Sequence, residues 1–283
     1  MTLLSWFKPI LAGVSLALVP LKFELVAETS TNGDVVTAKA VRNPRPELTV
    51  PNDFLQEQAM TLFPLAATTA TSRPVAGVAI PDSKLARQMT ELVKDTESPL
   101  LFHHSSRVYY WSALTGKRRG LRFDPELLYA GAMFHDMGLT PQYASADKRF
   151  EVDSANTARD FLRSHGIGAQ DIETVWTAIA LHTTPGIPQY MHPVIALVTA
   201  GVEMDVLGIA FSEFTDAERE AVVLAHPRPG RFKEEIIQAF YDGFHHRPET
   251  TFGNVNADVL ADKDPSFRPE NFCRVIRASA WPG

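Results

Sequence analysis

From Pro81 to about Phe244 apolar residues recur every three to four positions, and almost nothing alternates with a period of two. That rhythm predicts an all-α domain, because a helix brings residues three, four and seven apart onto one face. Cap signals divide the stretch. Asp82 opens a helix that reaches Thr96, and Pro99 starts a second that runs to Leu114 and ends near Gly116. Asp124 and Pro125, as N-cap and first helical residue, open a third that ends at Gly138. A fourth is expected over Val152–His165 with Gly166 as its C-cap, a fifth from Asp171 to His182, and a sixth from Pro193 to Val206, stopped at Gly208.

Four of these helices put a His or an Asp where the apolar stripe calls for Leu. The stripes are Leu101-His104-Val108-Trp111, Leu128-Ala132-His135, Ile172-Val175-Ile179-His182 and Ile195-Val198-Val202-Asp205, with Asp136 one step round from His135. Burying one neutral polar group without a partner costs roughly 2–7 kcal/mol, and a charge costs more. Taken singly, each residue has an ordinary explanation. His104 fits a core or surface histidine, His182 fits a cation capping a helix C-terminus, and Asp205 calls for an N–H or Arg partner rather than a metal. Taken together with the adjacent pair His135-Asp136, they point to one shared divalent ion, which needs neutral imidazoles and ionised carboxylates. Nitrogen and oxygen donors without sulfur suit Zn or Fe first, with Mn, Co and Ni also compatible.

Composition narrows the surroundings. The 283 residues are 45% apolar and 21% charged, enough to bury a core in one large domain or two small ones. A net charge of -6 with no Lys/Arg block disfavours nucleic acid as a partner. The single cysteine, Cys273, excludes an internal disulfide framework and a Cys-rich zinc site.

Residues 1–27 hold an apolar run from Pro9 to Leu21 behind Lys8, compatible with a signal peptide and too short for a stable membrane span. Cleavage after Ala27 would place an ill-suited Leu25 at the -3 position, so cytoplasmic and exported forms both stay open. Residues 28–80, interrupted by Pro44, Pro46, Pro51, Pro64 and Pro74, read as an extended leader with one short helix over 54–62. The helical core is expected over 81–250. The tail over 251–283, with Pro265, Pro269 and Pro282, is expected to pack loosely or to reach a neighbouring subunit, as in a homo-oligomer.

The spacing of His104, His135-Asp136 and Asp205 resembles the HD-domain superfamily of metal-dependent hydrolases over about residues 85–210. More narrowly, Pro99–Trp111 is similar to the His-Ser-x-Arg-Val-Tyr segment of the cyanamide hydratase-like branch. Arg149–Asn156, Trp176–Thr184 and Gly201–Gly208 resemble further segments of that branch. The resemblance implies an HD-domain helical bundle with His104, His135, Asp136 and Asp205 as metal ligands. His103 departs from relatives, which usually carry Asn there; it lies one residue off the stripe, so His104 is preferred. Met137-Gly138-Leu139 stands where many phosphodiester-cleaving relatives have Ile-Gly-Lys, which weakens a phosphate-binding reading.

Three functions follow as expectations. The first is a hydratase or hydrolase whose activated water attacks a small polar substrate such as cyanamide. The second is a phosphohydrolase acting on a nucleotide, and the third is a noncatalytic metal-binding protein on the same scaffold. For the first, His182 is the leading candidate for proton transfer, and Glu151 and Asp153 are candidate catalytic carboxylates that equally suit a helix start. Asn156, Tyr109 and Trp111 are candidates for substrate contact, with a helix surface and an aromatic core as their alternatives. Arg107 is expected to pair with a carboxylate on the helix surface.

Overall fold

The computed structural model describes residues 73–251 and 253–283. The N-terminal apolar run, the short helix over 54–62 and most of the extended leader lie outside the described residues. Ten α-helices form among the described residues, with no strand beyond a single antiparallel bridge between Val75 and Val78. They are α1 (Lys84–Thr96), α2 (Pro99–Arg118), α3 (Pro125–Phe134), α4 (Phe150–Ser164), α5 (Ala169–Ala180), α6 (Pro193–Val202), α7 (Asp216–Ala225), α8 (Phe232–Phe244), α9 (Val255–Lys263) and α10 (Phe272–Ala278). No helix among them is long and apolar enough to cross a membrane.

Helix starts follow local chemistry. Asp124 Oδ1 accepts from the backbone N–H of Glu126 and Leu127 at 2.8 and 3.1 Å, and Pro125 fills the first helical position. Helix α1 is capped by Ser83, not Asp82; its hydroxyl accepts from Ala86 N at 2.9 Å, while Asp82 pairs with Arg87. Helix α4 starts at Phe150, earlier than expected, and places Glu151 and Asp153 in its first turn.

Helix ends depend on packing. Helix α2 runs through Gly116 to Arg118 because that glycine is a contact, not a stop. A Cβ there would lie 2.4 Å from the Phe123 ring and 2.9 Å from Leu197. Helix α3 ends at Phe134, with His135 as its C-cap and a separate 3₁₀ turn over Met137–Leu139. Helix α6 gives way at Glu203 to a π turn, Glu203–Leu207, which carries Asp205 and closes on Gly208 with φ 67°.

Helix α2 is buried without a break from His104 to Gly116, and packs on α3 and α6. Helices α3, α5 and α6 pack on one another beside it, and α4 lies along α5. A second apolar cluster joins Leu101, Leu139, Phe150 and Val206 to Phe232, Ile236 and Phe240 of α8 and Ile276 of α10.

The tail is packed only at its end: α9 buries no residue and 253–271 are almost all exposed, whereas Ile276 and Trp281 are buried. Trp281 is 5% exposed, its indole N–H donates to Met204 O at 2.7 Å, and its ring lies edge-on to Phe211 and tilted against Trp111. The aromatic side chain regains on burial what the Pro-rich approach lacks in helix propensity. Trp281→Ala is expected to cost about 3–5 kcal/mol and to lower the melting temperature by roughly 10 °C. A melting curve unchanged within two degrees would show that the tail is dispensable.

Candidate metal centre

Two helices and the turn after a third bring imidazoles to a single carboxylate. His104 Nε2, from the middle of α2, lies 3.1 Å from Nε2 of His135 at the end of α3. Asp136 Oδ2 lies 3.3 Å from His135 Nε2 and 3.5 Å from His104 Nε2. His182, in the turn after α5, points its Nε2 at the other oxygen, 3.7 Å from Asp136 Oδ1. His104, His135 and Asp136 are wholly buried, and His182 is 3% exposed.

The outer ring nitrogens fix the inner ones. His135 Nδ1 donates to Ala132 O at 2.7 Å and His182 Nδ1 to Ile179 O at 2.6 Å. His104 Nδ1 donates to Asp205 Oδ2 at 2.7 Å. Each ring is thereby held as the tautomer whose Nε2 carries a lone pair facing Asp136. Both Asp136 oxygens and His182 Nε2 are buried without a hydrogen-bond donor or acceptor.

Such a set fits a divalent ion. Donors about 2.0–2.2 Å from one ion are separated by roughly 3.0–3.4 Å in four- or six-coordinate geometry. The distances among His104, His135 and Asp136 match those edges. The protonation states of Asp136, His104 and His182 match as well. Burial raises the Asp136 carboxyl, but His135, His104 and His182 outweigh it and hold it below the usual carboxylate range. Burial lowers His104, partly offset by Asp205, and takes His182 down to about 4 with help from His135. For His135 burial also lowers the pKa, yet the Asp136 charge raises it overall.

Gly138 lets this centre close. A Cβ there would lie 2.1 Å from Phe150 O and 2.9 Å from Ser154 N, so the first turn of α4 could not approach the His-Asp pair. Gly138 N donates to Ser154 Oγ at 2.7 Å, and Gly138 O accepts from Arg247 at 2.9 Å.

The remaining sequence candidates fall elsewhere. Asp205, expected on the metal, sits behind His104 with both oxygens engaged. Oδ1 accepts from Arg107 Nε at 2.8 Å and Trp111 Nε1 at 2.9 Å; Oδ2 accepts from Arg107 Nη2 at 2.9 Å besides His104. Arg107 therefore finds its carboxylate in the interior, not on the helix surface. Trp111 is a core residue that holds Asp205, and Tyr109 is a core residue whose hydroxyl donates to Ala79 O at 2.8 Å; neither walls an open substrate pocket. Asn156 Oδ1 accepts from Arg159 at 2.8 Å and Trp176 at 3.1 Å.

Glu151 accepts from Arg149, at 2.6 Å for the nearer contact, and from the Thr183 hydroxyl, tying α4 to the turn that carries His182. Asp153 accepts from Ser145 N at 2.8 Å and from Arg247 at 2.5 Å. It thus anchors the loop before α4, a structural task that the catalytic alternative did not foresee. His103 lies off the centre with its ring beside His226, leaving His104 as the member that faces His135.

Sequence reasoning missed Arg228, Arg247 and Glu97. Arg228 donates to Asp205 O at 2.8 Å, and Arg247, wholly buried, also donates to Ser145, Lys148 and Gly243 carbonyls. Neither sits in a periodic segment that would have marked it. Arg107 did carry a signal, since it lies three residues after His104 and shares its face.

A family model for the HD domain matches residues 101–251, more than half of the chain. The chain belongs to the HD domain family. HD-domain proteins are generally metal-dependent hydrolases, and the buried His104, His135 and Asp136 of this member are suited to a divalent metal. No curated protein matches the chain.

Glu97 adds a buried acid beside the centre. It is 6% exposed, accepts weakly from Ser105 Oγ at 3.2 Å, and is raised well above the usual carboxylate range by burial and by the Asp136 charge. The folded protein therefore holds this proton more tightly than the unfolded chain. Its stabilising contribution is complete below the unfolded pKa and is lost as pH rises toward the folded value. Glu97→Gln removes that loss, so its melting temperature should rise relative to the parent between pH 5 and pH 8. A difference that does not vary with pH would contradict a protonated Glu97.

Proposed function

We propose that this protein is a metal-dependent hydratase or hydrolase acting on a small, uncharged polar substrate, with cyanamide or a related nitrile-like compound as the model. The observation that carries the reading is the convergence of Asp136 and three imidazole Nε2 atoms, with Asp136 Oδ1, Asp136 Oδ2 and His182 Nε2 buried and without hydrogen bonds. His104, His135 and Asp136 would hold the ion, with Zn or Fe favoured by the donor set. A divalent ion supplies Lewis acidity that lowers the pKa of water beside it.

The chain's own residues supply orientation and proton handling. His182 Nδ1 is tied to Ile179 O, so its free Nε2 is the acceptor available inside the centre. In hydration of a nitrile, a C–O bond forms as water adds, one C≡N π pair moves to nitrogen, and the water proton must reach that nitrogen. His182 Nε2 accepts that proton and returns it to the nitrogen. Glu151, clamped by Arg149 and Thr183, orients the turn that carries His182. Asn156, whose carbonyl oxygen is held by Arg159 and Trp176, has no place in this scheme.

Three features favour a small neutral substrate over a phosphate ester. The donors are buried, so a nucleotide would require the helices to part. Arg107, Arg149, Arg228 and Arg247, which come from elements around the centre, each pair with a carboxylate. No Lys follows the His-Asp pair in Met137-Gly138-Leu139.

Metal analysis followed by two assays tests the reading. Purified protein is expected to carry about one divalent ion per chain and to release urea from cyanamide, without releasing phosphate from a panel of nucleoside monophosphates. His182→Ala should lower kcat by roughly 10²–10⁴-fold while the ion is retained. Release of phosphate alone would replace the hydratase reading with the phosphohydrolase one, and inactivity in both assays with bound ion would favour a noncatalytic metal-binding protein.

A further inference from the structure

We infer that Phe150 is the gate to the centre and the residue that limits the size of its substrate. The gate rests on the metal-dependent hydratase reading above and gives it a route by which a neutral molecule reaches His182.

The two apolar clusters cover the centre unequally. On the side of α3 and α5, Met133, Phe134, Val175 and Ile179 have no exposed surface. On the other side the second cluster is thinner, and Leu101, Leu139, Phe150 and Phe240 each keep 6–8% of their surface in contact with solvent. The way in from solvent therefore passes through the second cluster.

Within that cluster a file of aromatic rings leads from the surface to the centre. Phe272 of α10 is 49% exposed, and its ring lies edge-on to Phe240 of α8 at 5.9 Å. Phe240 lies 5.9 Å from Phe150, and Phe150 meets the His182 ring edge-on at 5.6 Å. Phe244 stacks on the flank of Phe150 at 6.1 Å. These are the spacings of aromatic pairs in contact. Phe150 is the last ring before the imidazole whose Nε2 faces Asp136.

Local structure fixes its backbone. Arg149 is extended, with ψ 143°, and Phe150 opens α4. The Phe150 carbonyl lies against Gly138, and the next residue, Glu151, is clamped by Arg149 and Thr183. With the backbone held on both sides, the ring is the part that turns, by a change of side-chain rotamer.

A gate of this composition selects by charge and by width. An ion entering a file of apolar rings loses its hydration without a compensating partner, whereas a neutral nitrile does not. Substrate choice is therefore set at the entrance as well as at the ion. The width beside His182 is set by the Phe150 ring, so a shorter side chain there should admit a bulkier neutral nitrile.

The parent, Phe150→Ala and Phe150→Leu are compared on cyanamide and on dimethylcyanamide, which is larger by two methyl groups. The ratio of kcat/KM for dimethylcyanamide to that for cyanamide should rise about 10–200-fold in Phe150→Ala, the range that a methylene-sized change in an apolar pocket commands. It should rise less in Phe150→Leu, which keeps enough apolar bulk to fold where the alanine variant does not. A ratio that does not rise in the folded variants overturns the inference.

A second measurement needs no turnover. Zinc-loaded protein is mixed with excess EDTA, and the loss of zinc is timed. Both Phe150 variants should release zinc faster than the parent, by on the order of tenfold for Phe150→Ala, because local opening no longer breaks the ring contacts. Leu162→Ala loosens the same helix within the larger cluster, away from the file, and should stay near the parent rate. Equal acceleration in Leu162→Ala would show that zinc escapes by general loosening of the fold, and overturns the gate. If the parent binds zinc but releases no urea from cyanamide, the hydratase reading fails while zinc release still decides the gate. A parent that binds no zinc sinks the metal reading and the gate with it.

Discussion

A buried, ionised Asp136 is the constraint around which the described domain is arranged. Its two oxygens face imidazole Nε2 atoms from three separate helices or their ends and receive no hydrogen bond. A bare carboxylate in that position would be destabilising by several kcal/mol. The neighbouring imidazoles keep it ionised against the effect of burial, and its oxygens are left without competing hydrogen bonds. The histidines are turned by carbonyls at Ala132 and Ile179 and by Asp205, and Gly138 allows α4 to approach closely enough to seal the site. In the proposed account, one divalent ion compensates the charge and provides the chemistry.

Three carboxylate–arginine pairs form a frame around this centre. Asp205 with Arg107 and Arg228 joins α2, the π turn and the segment before α8. Asp153 with Arg247 joins the start of α4 to the end of α8, and Glu151 with Arg149 and Thr183 joins α4 to the turn that carries His182. The Asp205–Arg107, Asp153–Arg247 and Glu151–Thr183 contacts each link elements distant in sequence, so the positions of the imidazoles depend on contacts made far along the chain. Trp281 extends the frame to the C-terminus through its indole bond to Met204 O and its stacking with Arg228.

Much of the core was legible in the sequence because its signals are local. The helix openings at Pro99, Asp124-Pro125 and Pro193 follow from capping and proline chemistry, and the polar interruptions of apolar stripes located His104, His135-Asp136 and His182. What escaped was tertiary. Gly116 read as a stop, yet it is a contact for Phe123 and Leu197, which no local rule distinguishes. The stripe placed Asp205 beside His104, as found, but could not name Arg107, Arg228 and Trp111 as the partners that hold its carboxylate. Tyr109 and Trp111 took the aromatic-core alternative because α2 is enclosed on all sides. Asp153 was claimed by Arg247, an arginine in a segment without periodicity.

The central claim is that His104, His135 and Asp136 hold one divalent ion between them. The most direct measurement is an anomalous-difference map from a crystal of the metal-loaded protein, collected at the absorption edge of the bound metal. The account predicts a single strong peak about 2.0–2.2 Å from His104 Nε2, His135 Nε2 and an Asp136 oxygen. A peak held by other side chains, or none in a crystal grown with excess metal, would contradict it.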